Sequence, residues 1–476
     1  MAQHSTASPA AQGTHGSPGT DLRDRIERSP MGAYQWLIIG VCTFLNALDG
    51  YDVLAMAFTA NPVSEEFALS GTTLGLLLSA GLIGMAIGSL TLGPVADRIG
   101  RRPMTLISLI VNAAGLFLSA TANSAAELGV WRIVTGLGIG GILVGTNVLS
   151  SEYASRKRRG LAVSIYAAGY GVGASLGGTA AVGMIESLGW RSVFVLGGAL
   201  TVVALVLVFA LLPESAAYLY TRRPASALQK LNRVARRVGQ PAVEALPAER
   251  TKAEAAADVA AGRSEKAGIG ALFSRKNLKI TVLVWIAFFT VMFGFYFVNS
   301  WTPKLLTESG LTQNQGVIAG IMLTLGGTIG SILFGVLTAR WSTRGVLFWF
   351  TIASAVAMTL FISSASIIWA VFALGIVVGM LINGCIAGLY VLTPQSYGPQ
   401  VRSTGAGWAI GIGRVGAILA PMITGALLDG GWTPQSIYIG VGLVVLIATV
   451  ALFLLRTADV EANHAPDRRI SEGAAS

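Results

Sequence analysis

Charge is scarce in this chain: Asp, Glu, Lys and Arg together make up 12% of its 476 residues, while 53% are hydrophobic. With a mean hydropathy of +0.66, that scarcity excludes a soluble globular protein and points to a chain that crosses a membrane many times. Cysteine is scarce too. The two present, Cys42 and Cys385, fall inside apolar runs, so neither a disulfide framework nor a cysteine-based metal site is supported, and packing is their expected role. Histidine is confined to the tails, at His4, His15 and His464, which leaves no imidazole to relay protons through the bilayer. No nucleophile, histidine and acid group together in the membrane part, so a hydrolytic enzyme is not expected, and nothing calls for a cofactor or metal. The first thirty or so residues, rich in Ala, Ser, Gly and Thr, lack the apolar core of a signal peptide. They are expected to be disordered, leaving the first apolar run as the targeting segment.

What is abundant is apolar sequence in runs near the roughly 20 residues that a bilayer demands. They fall into two groups of six: 36–60, 72–96, 104–121, 126–153, 161–185 and 193–212, then 278–300, 316–337, 346–363, 367–392, 405–428 and 437–455. The predicted fold class is an all-α polytopic membrane protein with twelve transmembrane helices. Its expected organisation is a disordered tail over 1–33, a six-helix bundle over 34–213, a linker over 214–277, a second bundle over 278–456 and a tail over 457–476.

The net charge of +10 does not signal a nucleic-acid partner, because the basic residues alternate by loop. Arg98, Arg101 and Arg102 follow the second run, Arg156 to Arg159 follow the fourth, a basic linker occupies 222–279, and Arg340, Arg344 and Arg402 follow the eighth and tenth. The opposite loops hold chiefly Arg191 and Lys304. By the positive-inside rule both termini and the linker are expected on the cytoplasmic side. Within the linker, ALQKLNRVARRVG (227–239) has helical spacing and reads as a surface helix with a solvated charged face, in preference to a partner site.

Self-comparison divides the chain in two. GSLTLGPVADRIGRR from Gly88 aligns with GSILFGVLTARWSTR from Gly330, and NVLSSEYASRKRRG from Asn147 aligns with YVLTPQSYGPQVRS from Tyr390 at nearly the same offset. Six helices are repeated, and with both halves starting on the same side the repeat is parallel. The stretch GPVADRIGRRP, Gly93 to Pro103, resembles the cytoplasmic signature of the major facilitator superfamily. That resemblance implies two pseudo-symmetric six-helix bundles and a gating latch of the outward-facing state. Gly93 and Gly100 would allow close approach and a sharp turn, Asp97 would cap a neighbouring helix or pair with an arginine across the bundle, and Arg98, Arg101 and Arg102 belong to the same signature. Ala339 stands opposite Asp97 in the second copy, so the latch belongs to the first half. Glu152, with Arg156 to Arg159, and Arg402 are assigned to the same cytoplasmic gate.

Apart from helix ends, few ionisable residues are embedded in the apolar runs. In LDGYDVLAMAF (48–58), Asp49 and Asp52 lie three apart on one face of the first helix. Burial and like charge both oppose ionisation of such a pair, the property a proton carrier needs. Alternatively the pair braces the helix against Arg132 or caps a break at Gly50, where local unwinding would expose backbone carbonyls. Aligning Pro62 with Pro303 puts Thr290 and Phe293 opposite the acids, so these belong to the first half alone.

Conversely Arg414, in GIGRVGAILAP, falls opposite Gly171 or its neighbour in GYGVGASLGG. A guanidinium there offers paired planar donors to a substrate carboxylate, or forms a structural pair. Arg132 opens a run with Gly136, Gly140 and Gly141 at helix-packing spacing, and either tunes the acids or forms a static bridge. The aromatic stretch FFTVMFGFYFVNSW (288–301) is of a kind usually core or lipid-facing. If part of it faces a cavity, Phe293, Tyr296 and Trp408 would stack on a flat ring and Asn147, Asn299 and Asn383 would bond its substituents. Tyr51 and Tyr390 complete the candidate substrate set.

DGYD, GPVADRIGRRP, WRIVTGLGIGG ending in SSEYASRKRRG, LPES after the sixth run, and GIGRVGAI together resemble the aromatic acid:H+ symporter family. The resemblance covers essentially all the membrane domain. It implies proton-coupled import of benzoate, hydroxybenzoate, protocatechuate or a related ring acid, by a monomer in the bacterial cytoplasmic membrane. Asp49 and Asp52 match the family's paired aspartates, and Arg132, Glu152 and Arg414 its charged positions. The expected mechanism docks the substrate carboxylate on Arg414 while Asp52, with Asp49 as partner, takes a proton from outside. Carriers of muconate-like acids, or antiporters exporting acids or drugs, are alternatives that this fold permits.

Overall fold

The computed structural model describes residues 22–246, 269–275, 277–398 and 401–455. Among them are sixteen α-helices. The first half contains α1 (Leu22–Arg28), α2 (Ala33–Phe58), α3 (Ala60–Glu66), α4 (Gly71–Ile99), α5 (Arg101–Thr121), α6 (Ala125–Glu152), α7 (Arg159–Leu188) and α8 (Arg191–Leu211). The linker supplies α9 (Ala216–Arg222) and α10 (Ala227–Arg237). The second half contains α11 (Leu278–Glu308), α12 (Gln313–Thr338), α13 (Thr343–Ser363), α14 (Ile368–Ser396), α15 (Arg402–Asp429) and α16 (Pro434–Leu454).

Twelve of these helices have 21 to 31 residues; at 1.5 Å per residue the shortest reach about 31 Å, the thickness of a hydrocarbon core. Eleven are long and apolar enough to cross a membrane. The twelfth, α7, is 30 residues long and diluted in apolarity by Gly, Ala and Ser. It packs between α2 and α12, where small residues favour close approach.

The halves are built alike. In the first, α4 pairs with α6 and α2 with α7; in the second, α12 pairs with α14 and α11 with α15. The two glycines that open the aligned repeat have the same task. A Cβ on Gly88 would stand 2.3 Å from the Leu137 carbonyl oxygen, and one on Gly330 would stand 1.9 Å from that of Met380. Only glycine lets the paired backbones approach so closely.

Helix α1 forms inside the segment expected to be disordered. Leu22 and Ile26, one turn apart, are both buried, and the α1 backbone is tied down: the Leu22 N–H donates to the Tyr220 hydroxyl (3.0 Å), and the Arg156 N–H donates to the Glu27 carbonyl (2.8 Å). Arg159 adds an ion pair to Glu27 at 2.6 Å. The expectation of disorder over 1–21, the three histidines, the linker segment 247–268 and the tail from 456 lie outside the described residues.

Contacts between the halves are unevenly distributed. Call the end carrying Arg98 to Arg102 and α10 the basic end. At the opposite end Asp429 of α15 accepts from the N–H groups of Gly71 (2.6 Å) and Thr72 (2.8 Å) and from the Thr72 hydroxyl (2.6 Å), capping α4 across the divide. Asn61 donates to Thr307 (2.9 Å), Ser79 donates to the Ile418 carbonyl (2.7 Å), and Asn314 donates to Glu186. At the basic end no hydrogen bond joins described residues of one half to described residues of the other. Among the described residues, the hydrogen bonds that join the two halves at their ends thus gather at the end opposite the basic one.

Candidate functional site

The embedded charges gather near the middle of the bundle. Helix α2 runs unbroken through Gly50, so the expected local unwinding is absent. The glycine serves close packing instead: a Cβ there would lie 2.0 Å from the Tyr170 carbonyl oxygen of α7. Tyr51, one residue on, wedges between Gly177 and Gly197 and donates its hydroxyl to the Val193 carbonyl at 2.5 Å. These two neighbours lock the rotation of α2 and thereby decide where each aspartate points. Tyr51 itself is directed into α8, away from the other candidate substrate residues.

Asp52 faces α6. Arg132 donates to its Oδ1 at 2.7 Å and to its backbone carbonyl at 2.9 Å. The two side chains are 4% and 3% exposed, and the guanidinium lies 5.7 Å from the centre of the Phe194 ring. Asp52 and Arg132 thus form a closed ion pair within the first half, the bracing arrangement weighed above. Asp49 is also buried, but its Oδ1 has no hydrogen-bond partner. It stands in the electrostatic field of both Asp52 and Arg414.

Arg414 comes from the second half. Its Nη1 donates to the Tyr296 hydroxyl at 3.2 Å and approaches the Met85 sulfur of α4 at 3.1 Å. Tyr390 shares its electrostatic environment and meets Phe288 edge-on at 5.7 Å. Among the described residues no carboxylate lies within ion-pair distance of Arg414. Its hydrogen-bond partners are therefore neutral groups, while the carboxylate of Asp49 acts on it through the field.

Other candidates stand apart. Phe293 stacks on Phe289 (6.3 Å) and Trp408 on Trp285 (6.2 Å). Asn299 donates to the Phe295 carbonyl of its own helix at 2.8 Å. The Asn383 amide lies against Gly327 of α12, and Asn147 is exposed on α6. Two residues that sequence reasoning did not select join the centre: Met85, and Tyr170, whose buried hydroxyl is unpartnered and feels both Asp49 and Arg414. Tyr170 lies in GYGVGASLGG, the segment aligned with that of Arg414, so its position was open to detection; Met85 carries no signal of its own.

The gating set forms a separate cluster at the basic end. Asp97 pairs with Arg101 at 2.8 Å inside its own half, and Arg222 donates to its carbonyl at 3.0 Å. Gly100 has φ +109°, a conformation that requires glycine. A Cβ on Gly93 meets only Val144, at ordinary contact distance, so nothing in this conformation demands a glycine there. The Tyr218 hydroxyl donates to the Arg98 carbonyl at 3.2 Å, and Arg102 donates to the Phe209 carbonyl at 2.6 Å. Glu152 accepts from the Ser215 hydroxyl at 2.7 Å, while Arg402 opens α15 on the exposed surface. Glu214 of LPES caps the start of α5, accepting from the N–H groups of Arg101 (2.8 Å) and Arg102 (3.2 Å) and from that of Ser215 (2.9 Å). Burial raises the Glu214 carboxyl above the ordinary range against those three donors.

Comparison with known proteins agrees with this geometry. The family model of the Major Facilitator Superfamily matches residues 39–334 and 318–475. The chain is similar to the 4-hydroxybenzoate transporter PcaK of Acinetobacter baylyi, 30% identical over 436 residues and covering 91% of this chain and 94% of that one. It is 32% identical to a gallate transporter of Pseudomonas putida over 441 residues, covering 91% and 94%. Among solved structures it resembles the inward open conformation of the xylose transporter XylE from E. coli, with a TM-score of 0.68, 18% identity and coverage of 90% and 100%. Two like six-helix halves, a signature loop at the basic end and these matches over nine-tenths of the chain lead to one conclusion: the chain belongs to the Major Facilitator Superfamily and is a multi-pass membrane transporter, in the branch that holds the hydroxybenzoate and gallate transporters.

Proposed function

We propose that the protein imports a small aromatic carboxylic acid together with protons across the bacterial cytoplasmic membrane, by alternating access. The observation that carries this reading is Arg414: a guanidinium deep between the halves, bonded to a tyrosine hydroxyl and bordered by a sulfur, with no carboxylate in ion-pair reach among the described residues. A monoanionic acid supplies the missing charge, and Tyr296 and Tyr390 offer ring faces and hydroxyls beside it. The names of the relatives, which handle 4-hydroxybenzoate and gallate, agree with a ring acid.

Proton coupling falls to Asp49 in preference to Asp52, because Asp52 is engaged by Arg132 while Asp49 keeps a buried oxygen without a hydrogen-bond partner, in the field of Arg414. With the basic end in the cytoplasm by the positive-inside rule, the conformation is inward-open. In the outward-open state the substrate docks on Arg414 and Asp49 takes a proton. Neutralising both charges lowers the cost of occluding the site, α15 closes onto α4, and the halves part at the basic end. One anion with one proton is electroneutral, so the membrane potential assists only if a second proton moves. The test is uptake of labelled 4-hydroxybenzoate, gallate, benzoate and protocatechuate into proteoliposomes under an inward proton gradient. Gradient-driven accumulation of one of these acids supports the reading. Release of preloaded acid when the gradient is applied makes the protein an exporter instead.

A further inference from the structure

A cavity lined by several cations, away from the central site, lies at the basic end where the linker meets the membrane bundle. It measures about 200 Å³ and is walled by α10, the end of α8 and the start of α5. Four cations line it: Arg102, Lys230, Arg233 and Arg237. The last three sit at i, i+3 and i+7 of α10, on one face. Its one acid, Glu214, is already bonded to three backbone N–H groups. Arg237 reaches the Tyr34 hydroxyl at 3.1 Å, and Arg102 lies 5.7 Å from the centre of the Phe209 ring. Lys230 and Arg233 are exposed and, among the described residues, have no carboxylate within ion-pair distance. The same cavity has an apolar side. Phe209 belongs to a membrane-crossing helix and is 69% exposed, so the cation cluster opens directly beside a surface meant for acyl chains.

We propose that this cavity seats the phosphodiester headgroup of an anionic phospholipid, with its chains lying along Phe209 and α8. Several cations with few counter-ions beside a lipid-facing aromatic make a headgroup site. Occupancy ties α10, and with it the linker, to the end of the first bundle. A free phosphate shares the charge chemistry but gains nothing from the apolar wall, which is why the lipid is favoured.

The test is native mass spectrometry of the full-length purified protein in detergent, given phosphatidylglycerol or phosphatidylcholine of identical chains. The expected result is retention of phosphatidylglycerol over phosphatidylcholine by about tenfold, abolished in Lys230→Ala/Arg233→Ala and restored in Lys230→Arg/Arg233→Lys. Should the alanine variant fold poorly, the wild-type preference read in low and high salt decides alone, since headgroup attraction weakens with ionic strength. Equal retention of the two lipids overturns the proposal, as does an alanine variant that keeps the preference. Thermal stabilisation by inorganic phosphate equal to that by phosphatidylglycerol overturns the lipid assignment in favour of a free-anion site.

Discussion

The two halves share a backbone plan and differ in charge. In α2 of the first half Asp49 and Asp52 occupy positions that Thr290 and Phe293 fill in α11; Thr290 bonds its own helix backbone at 2.9 Å and Phe293 stacks on a neighbouring ring. In α15 of the second half Arg414 stands where α7 has Gly171 or its neighbour. A duplicated scaffold does not require these groups, since each is absent from the equivalent place. The difference teaches that the acids sit in one rigid body and the deep free cation in the other. Movement of one half against the other therefore changes the distance between Asp49 and Arg414, while Asp52 and Arg132 travel together. Charges on opposite sides of the divide suit the proposed coupling, whereas a bonded pair within one half suits a brace.

The brace gives the largest expected effect. Asp52→Asn leaves Arg132 buried without a counter-ion, a change that typically costs about 3 to 5 kcal/mol. It should lower the melting temperature of the purified protein sharply, and Asp52→Asn/Arg132→Gln should recover much of the loss in a double-mutant cycle. If Asp52→Asn melts like the wild type, the brace is not one.

Arg414→Gln strikes the other half and should act on ligand rather than on stability. Losing a charged hydrogen-bond partner for a bound anion costs about 2 to 5 kcal/mol, or roughly 30-fold or more in affinity. Equilibrium binding of labelled substrate would measure this, with Arg414→Lys giving only partial recovery because an ammonium lacks paired planar donors.

The seal at the opposite end comes next. Asp429→Asn weakens three hydrogen bonds that join α15 to α4, a loss of roughly 1 to 2 kcal/mol and so about a five- to thirtyfold shift of population toward opening there. A cysteine placed by Ser79→Cys, buried at that seam, reports opening through its rate of thiol labelling, with Cys42 and Cys385 both buried in the background. Unchanged labelling would mean that other contacts close this end.

The smallest effect belongs to Asp97. Its pair with Arg101 is 60% exposed on the acid side, so Asp97→Asn should change the stability of this conformation by less than about 1 kcal/mol. A larger fall in melting temperature would contradict a purely exposed pair.

Much of the architecture was legible because hydrophobic length is a strong signal. All twelve apolar runs correspond to helices, most of them within four residues at either end. The exception is α11, which continues eight residues past the expected end at 300 through Pro303. Helix α1 was not legible: it has only seven residues, and its stability comes from Leu22 and Ile26 docking onto distant parts of the chain. The embedded charges were legible from composition alone, but their pairing was not. Asp49 and Asp52 share a helix face, and which of them meets Arg132 depends on a rotation of α2 set by Gly50 against α7 and Tyr51 against α8. Sequence reasoning named both acids, with Asp52 as the acceptor and Asp49 as its partner, and the proposal of Asp49 rests on that added information. The aromatic candidates divided for a similar reason: Tyr296 reaches Arg414, whereas Tyr51 and Phe293 pack elsewhere, and periodicity does not distinguish a ring that faces a site from one that fills a core.

The central claim is that the acid free of the brace, Asp49, couples proton movement to an anion held by Arg414. The most direct test compares wild type and Asp49→Asn in proteoliposomes, measuring both accumulation of labelled 4-hydroxybenzoate under an inward proton gradient and exchange of the same acid at equal pH. The account predicts that Asp49→Asn loses accumulation and keeps exchange. Accumulation by Asp49→Asn at the wild-type level would contradict it.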